Sequence, residues 1–154
     1  MQLNLKSLIF YTSTPGVVAD FMAYVFDLDL HAKNCDHYEL TNSLYPQFPK
    51  QLIFRKSAVN DKELISFDFV IELENKKDWD DQFKKIVFYL HQNELNDQFS
   101  PSQEIRKPGG VSFHVTLLPG IKLEFFHPLH SKKNIALSSK VRVDLINDKK
   151  ILFN

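Results

Sequence analysis

LIFYTSTPGVVADFMAYVFDLDL, residues 8–30, holds a strand, a helix start and a helix in direct succession. Its opening, together with the LNLKS that precedes it, is rich in apolar, β-branched and aromatic residues, so residues 3–12 have strand composition. Thr14-Pro15-Gly16 then ends the strand. Thr14 is a good N-cap, and Pro15 suits the first helical position, where its missing N–H would have had no partner. Val18, Phe21, Met22 and Val25 recur at i, i+3, i+4 and i+7, which puts one apolar stripe on a helix of about three turns ending near Asp27. Such a stripe needs a sheet to cover.

On the C-terminal side, strands are predicted at residues 30–34, 37–41 and 51–56, the last entered through Pro46 and Pro49 and left through the polar linker 57–62. The first half therefore reads βαβββ. From residue 64 the order begins again, with Ile65, Phe67, Phe69, Ile71 and Leu73 alternating with Ser66, Asp68, Val70 and Glu72. Asn75 and Asp78 are both capable N-caps, and Trp79, Phe83, Ile86, Val87 and Leu90 form a second helical stripe reaching residues 91–93. A short strand at 104–107, a break at Pro108-Gly109-Gly110, a strand at 111–117, a tight turn at Pro119-Gly120 and a strand at 121–127 complete a second βαβββ.

The expected fold is α+β, with two βαβββ modules, residues 3–57 and 63–130, forming curved mixed sheets around a concave cavity within a domain spanning 1–130. A helix is expected on the convex face of each sheet. Residues 131–154 fall outside the repeat as a C-terminal extension. Segments 141–146 and 149–153 around Asn147-Asp148 carry a hairpin signal, expected to pack on an outer face or on a partner chain.

A chain of 154 residues can bury roughly two-thirds of the surface its unfolded form exposes, so a core forms without disulfides or a structural metal. The 19 Lys plus Arg balance 19 Asp plus Glu with no basic block, which leaves no footprint for displacing counterions from phosphates. No nucleic-acid partner is expected. No segment approaches the ~20 apolar residues that cross a bilayer, so no membrane partner is expected either. The opening MQLNLK lacks the basic and apolar regions of a secretion signal, and the lone Cys35 cannot form an intrachain disulfide, so a cytoplasmic location is the expectation. P-loop, GxGxxG and nucleophile-elbow motifs are absent from the sequence.

Residues 8–30 resemble the first strand, capped helix and Leu-Gly-Leu-like exit of the vicinal oxygen chelate superfamily, and FHVTLLPGIKLEFFHP, residues 113–128, resembles its closing β-turn-β hairpin ending in Leu-Glu-Phe. That superfamily includes glyoxalase I, extradiol dioxygenases, fosfomycin resistance proteins and bleomycin-binding proteins. The order of elements is similar over about residues 3–130. In metal-dependent members the resemblance implies one ligand from each of four strands, and those places fall here on Ser7, on Gln51 or Ile53, on Ser66 or Asp68, and on Glu124. Only Glu124 keeps a ligand type where the family has one. A divalent ion generally needs about three protein donors, so no bound metal and no cofactor are expected. A homodimer is implied as well, because the family often pairs through its sheets and helices.

With Leu123 and Phe125 facing the helix, Lys122, Glu124 and Phe126 turn to the concave side, joined by His114 and Thr116 of the preceding strand. His114 and Glu124 then face each other. A carboxylate can orient an imidazole and raise its pKa, which makes a general acid/base pair near neutral pH; the other reading is a structural hydrogen bond at the cavity wall. Asp68 points away from the apolar stripe of its own strand. Arg55 can answer Asp68, clamp an anionic ligand through its planar fork, or form a rim salt bridge. Tyr11 either presents its hydroxyl to a ligand or packs as a core aromatic. Ile9, Ile53, Val70 and Phe126 supply apolar walls.

His127 and His130, separated by Pro128 and Leu129, do not share a strand face and are expected at the solvent-exposed surface. His31 and His37 flank Cys35 and read as two surface imidazoles beside a small buried thiol, with transition-metal binding as the weaker alternative. The charged run 72–85 is expected to be the solvated face of the second helix. The expected function is metal-independent binding of a small, partly apolar molecule, either to sequester it or to act on it by acid/base chemistry. The alternatives are a lyase-like or dioxygenase-like metalloenzyme with a rearranged ligand set, and a protein-interaction module with a filled cavity.

Overall fold

Strand β1 (Ser7–Thr12) runs into helix α1 (Pro15–Phe26), with Pro15 in the first turn, in the computed structural model, which describes residues 6–45, 48–57, 66–129 and 140–146. Thr14 stands at the N-cap, its carbonyl accepting the Val18 N–H at 3.2 Å, but its side chain makes no capping bond. Thr12 Oγ1 instead accepts the Thr14 N–H at 3.2 Å. Val18, Phe21, Met22 and Val25, the expected stripe, are all buried. The helix stops at Asp27, whose φ of 51° is the left-handed conformation that a short polar side chain tolerates.

Strands β2 (Asp29–Asn34), β3 (His37–Thr41) and β4 (Gln51–Lys56) complete a sheet in the order β1-β4-β3-β2, in which β1 is parallel to β4 and the other pairs are antiparallel. The chain then continues through β5 (Ser66–Glu72), α2 (Lys76–Gln92), α3 (Asn96–Phe99), β6 (Ile105–Lys107), β7 (Gly110–Leu118) and β8 (Ile121–Pro128). The order β5-β8-β7-β6 repeats the first sheet, again with the first strand parallel to the fourth. Both βαβββ modules are therefore present, each with a mixed sheet. The short α3, which buries Phe99, has no periodic signal in its sequence and was not expected.

The extension contributes β9 (Lys140–Ile146), which pairs antiparallel with β5, Lys140 opposite Glu72 and Ile146 opposite Ser66. It thus lengthens the second sheet at its edge, where an outer β5 would leave a row of N–H and C=O groups without partners. Residues 149–153, the other arm of the expected hairpin, lie outside the described residues.

The chain divides into two compact units, one of residues up to 61 together with 80–94, the other of 62–79 and 95 onward. Helix α2 is split between them, so only its first turn groups with the sheet of its own module. Asn75 caps that turn, its Oδ1 accepting the Lys77 N–H at 2.8 Å. Trp79, 2% exposed, lies edge-on to Phe113 at 5.3 Å, and Phe113 stacks on Phe125 at 4.8 Å. In the first unit Tyr89 of α2 lies against Tyr24 of α1, ring centroids 4.5 Å apart, and Gln82 Nε2 donates to the Val25 carbonyl at 2.9 Å. Ile86 and Leu90 are fully buried, but Val87, about 100° further round the helix than Ile86, is exposed rather than part of the core.

Candidate functional site

The register of the second sheet sets out its polar face in rows. His114 stands opposite Glu124, which stands opposite Val70; Thr116, Lys122 and Asp68 form the next row, and Ser112, Phe126 and Glu72 the row on the other side. Residues in register share a face. The opposite face carries Phe113, Phe125 and Phe69, all buried, with Trp79 packed upon it. His114, Glu124, Phe126 and Asp68 are therefore brought together on one face.

Glu124, however, is already engaged. Lys107 Nζ lies 2.6 Å from Glu124 Oε1, in a pair whose carboxylate side chain is only 12% exposed. Lys107 sits on the three-residue β6 and carries no sequence signal that would have singled it out. His114 is fixed through its backbone, its N–H donating to Ser102 Oγ at 2.9 Å and its carbonyl accepting the Ser102 N–H at 2.8 Å. Ser112 Oγ, in the neighbouring row, is buried with no hydrogen-bond partner among the described residues.

Glu124 pulls the pKa of His114 upward as expected, but the net shift is downward. Burial pushes the imidazole below its ordinary 6.5, the Lys122 ammonium pushes the same way, and the upward pull of Glu124 does not restore it. Lys107, which holds the carboxylate, adds a further downward push. The unfolded chain therefore binds the His114 proton more readily than the folded one. The stability of the neutral form is complete above the unfolded pKa and is lost as pH falls through the folded pKa. His114→Gln is expected to flatten part of the acid-side fall in stability, and an NMR titration placing the His114 midpoint at or above 6.5 would contradict the assignment.

Tyr11 and Arg55 lie in the other unit, on the first sheet. Its polar face has Tyr11, Arg55 and His37 in one row, Ile9, Ile53, Glu39 and His31 in the next, and Ser7, Gln51, Thr41 and Asp29 beyond. Tyr11 is 54% exposed, so it is not a core aromatic; Phe10, its buried neighbour, stacks on Phe54 at 5.2 Å. Glu39 is the centre of a cluster absent from the sequence reading: Gln51 Nε2 donates to it at 3.0 Å, His37 Nε2 lies 3.1 Å away and Lys33 Nζ 3.6 Å away. Arg55 Nε is buried and has no hydrogen-bond partner among the described residues.

Further expectations are corrected here. Cys35 is exposed, at the turn between β2 and β3, rather than a buried thiol. His127 is buried rather than exposed, because its Nδ1 lies 2.9 Å from the Leu73 carbonyl, a partner brought from a distant strand end. His130 lies outside the described residues. The places that the resemblance assigns to metal ligands hold a serine, an amide or an isoleucine, a serine or Asp68, and a glutamate bound to a lysine. That donor set does not fit a divalent ion. Among the described residues no group of three or more His, Cys, Asp or Glu is arranged to hold a metal.

No protein-family model and no curated protein matches the chain. Solved structures do. A glyoxalase/bleomycin resistance protein/dioxygenase from Nocardioides superposes with a TM-score of 0.61 at 11% identity, over 90% of this chain and 91% of its own. The chain has the vicinal oxygen chelate fold. A possible glyoxalase from Bacillus cereus, with a TM-score of 0.55 at 16% identity over 81% of this chain and 99% of its own, shares it. So does an oxidase, ChaP-H2, with a TM-score of 0.55 at 13% identity over 86% of this chain and 98% of its own. At these identities the likeness to glyoxalase/bleomycin resistance/dioxygenase proteins is one of fold, and the polar faces described above are this chain's own.

Proposed function

We propose that the chain binds a small, partly apolar molecule on the polar face of the second sheet, through His114, Glu124, Asp68 and Phe126, without a resident divalent metal. The observation that carries this reading is the 2.6 Å contact between Lys107 Nζ and Glu124 Oε1. An ammonium already compensates the carboxylate at the one position that retains a family ligand type, so an incoming cation would have to displace it. Val70 and Phe126 beside a small number of polar groups match the usual make-up of a small-molecule site. Tyr11 and Arg55, on the polar face of the first sheet, are proposed as ligand-binding residues of that sheet. The similar structures called a possible glyoxalase and an oxidase are in keeping with a small-molecule ligand.

Elemental analysis of the purified protein tests the metal part: less than stoichiometric zinc, nickel, manganese or iron is expected. One equivalent that disappears on Glu124→Ala would instead support the metalloenzyme reading. Binding and catalysis separate on His114→Ala. A sequestering protein shows a modest change in affinity and no turnover, whereas an enzyme loses turnover and keeps most of its thermal stabilisation by ligand. The lowered pKa of His114 favours a neutral imidazole able to accept a proton near pH 7.

A homodimer in the cytoplasm completes the proposal. Strand β1 is outermost in its sheet among the described residues, which offers an edge to a second copy, and light scattering that finds only monomer at high concentration would refute the pairing. No helix among the described residues is long and apolar enough to cross a membrane.

A further inference from the structure

We infer that Arg55 is the anchor for an oxyanion, so that a small molecule bound on the polar face of the first sheet carries a carboxylate or phosphate head group on an apolar body. The inference rests on the small-molecule reading and names the ligand's class. Arg55 Nε is shut off from solvent and has no hydrogen-bond partner among the described residues. A buried guanidinium N–H without a partner loses its hydration and gains nothing in return, so such groups in native proteins call for an explanation.

The diagonal carboxylate on the same face is engaged with other residues. Glu39, diagonal to Arg55 across β3 and β4, is occupied by Gln51 at 3.0 Å, His37 at 3.1 Å and Lys33 at 3.6 Å. The guanidinium is left as a positive group with directed donors. Tyr11 and His37 flank Arg55 in register, one on each neighbouring strand. Tyr11 is 54% exposed and offers a hydroxyl donor; Ile9, one row along, is 46% exposed and lies opposite Ile53. The row thus has a charged, bidentate centre, a phenol beside it and an apolar floor next to both. Two oxygens of a carboxylate or phosphate meet the fork through two parallel N–H bonds, and a ring or alkyl chain attached to the head group would lie over Ile9 and the Tyr11 ring.

The test is a titration of 15N-labelled protein, followed by NMR, with benzoate, phenylphosphonate and the neutral isostere benzamide. Saturable shifts of the Arg55 Nε–Hε resonance and of the Tyr11 and His37 amides are expected with at least one anion, with benzamide weaker by about tenfold or more. The better of the two anions tells carboxylate from phosphate. Arg55→Gln is expected to abolish the preference for the anion, and Arg55→Lys, which keeps charge and length without the fork, to retain part of it; the lysine variant serves if the glutamine variant does not fold. An anion preference that survives Arg55→Gln, or shifts confined to other residues, overturns the inference. A neutral molecule that stabilises the protein while neither anion perturbs Arg55 overturns it and leaves the small-molecule reading standing. Absence of any stabilising molecule overturns both.

Discussion

Replacing Trp79 by alanine should destabilise the protein by about 3–5 kcal/mol, the usual cost of deleting a large buried aromatic. Trp79 is 2% exposed, contacts Phe113 edge-on at 5.3 Å, and donates from Nε1 to the Phe125 carbonyl at 2.9 Å. It is therefore at once the apolar plug beneath the second sheet and the hydrogen bond that fixes the first turn of α2 to β8. For a chain of this size the loss corresponds to a fall in melting temperature of about 10 °C. Trp79→Phe separates the contributions: the ring packing is largely kept, the N–H bond is lost, and a cost of about 1 kcal/mol is expected. Denaturant unfolding of both variants checks this, and an alanine variant within 1 kcal/mol of wild type, a limit of about one hydrogen bond, would show that the turn is not anchored here.

Gly110→Ala should be nearly as damaging, by about 3 kcal/mol, although it adds a single methyl group. A Cβ at Gly110 would stand 2.3 Å from the His127 carbonyl oxygen and 2.5 Å from the Phe126 ring. The oxygen is backbone and sits in the β7–β8 ladder, so relief requires the strands to part where Gly110 pairs with Pro128. Phe126 is the other obstacle, and it belongs to the proposed binding face. Ligand affinity should therefore fall together with stability. Thermal unfolding with and without a bound molecule measures both effects. An alanine variant as stable as wild type would mean that the two strands pack less closely than described.

Local signals carried the fold. The bounds of β3 and β4 agree with the alternation and the Pro and Gly breaks that flank them, and the burial of Val18, Phe21, Met22 and Val25 follows from their spacing alone. Parity carried part of the site as well. Once Leu123 and Phe125 are assigned to the core, His114 and Glu124 must share the other face, and the register puts them opposite each other.

The rest depends on contacts that no local pattern encodes. Lys107 reaches Glu124 from a three-residue strand, and burial of the His114 ring, more than any neighbouring charge, turns its pKa downward. His127 is buried because its ring finds the Leu73 carbonyl, and Glu39 gathers its partners from two strands and the end of a third. Tyr89 gave no sign in sequence that it would lie against Tyr24 and draw the body of α2 into the first unit. The segment at 141–146 reads as a strand, but its pairing with β5 is a property of the sheet edge, not of the segment.

Metal-free ligand binding is tested most directly by a thermal-shift measurement on chelator-treated protein against a panel of small, partly apolar molecules. At least one compound is expected to raise the melting temperature by about 5–10 °C at a hundredfold excess over its dissociation constant. That shift should shrink when His114, Glu124, Asp68, Tyr11 and Arg55 are replaced together. A panel with no stabilising compound, stabilisation that appears only after a divalent metal is added, or a shift that survives the combined replacement would contradict it.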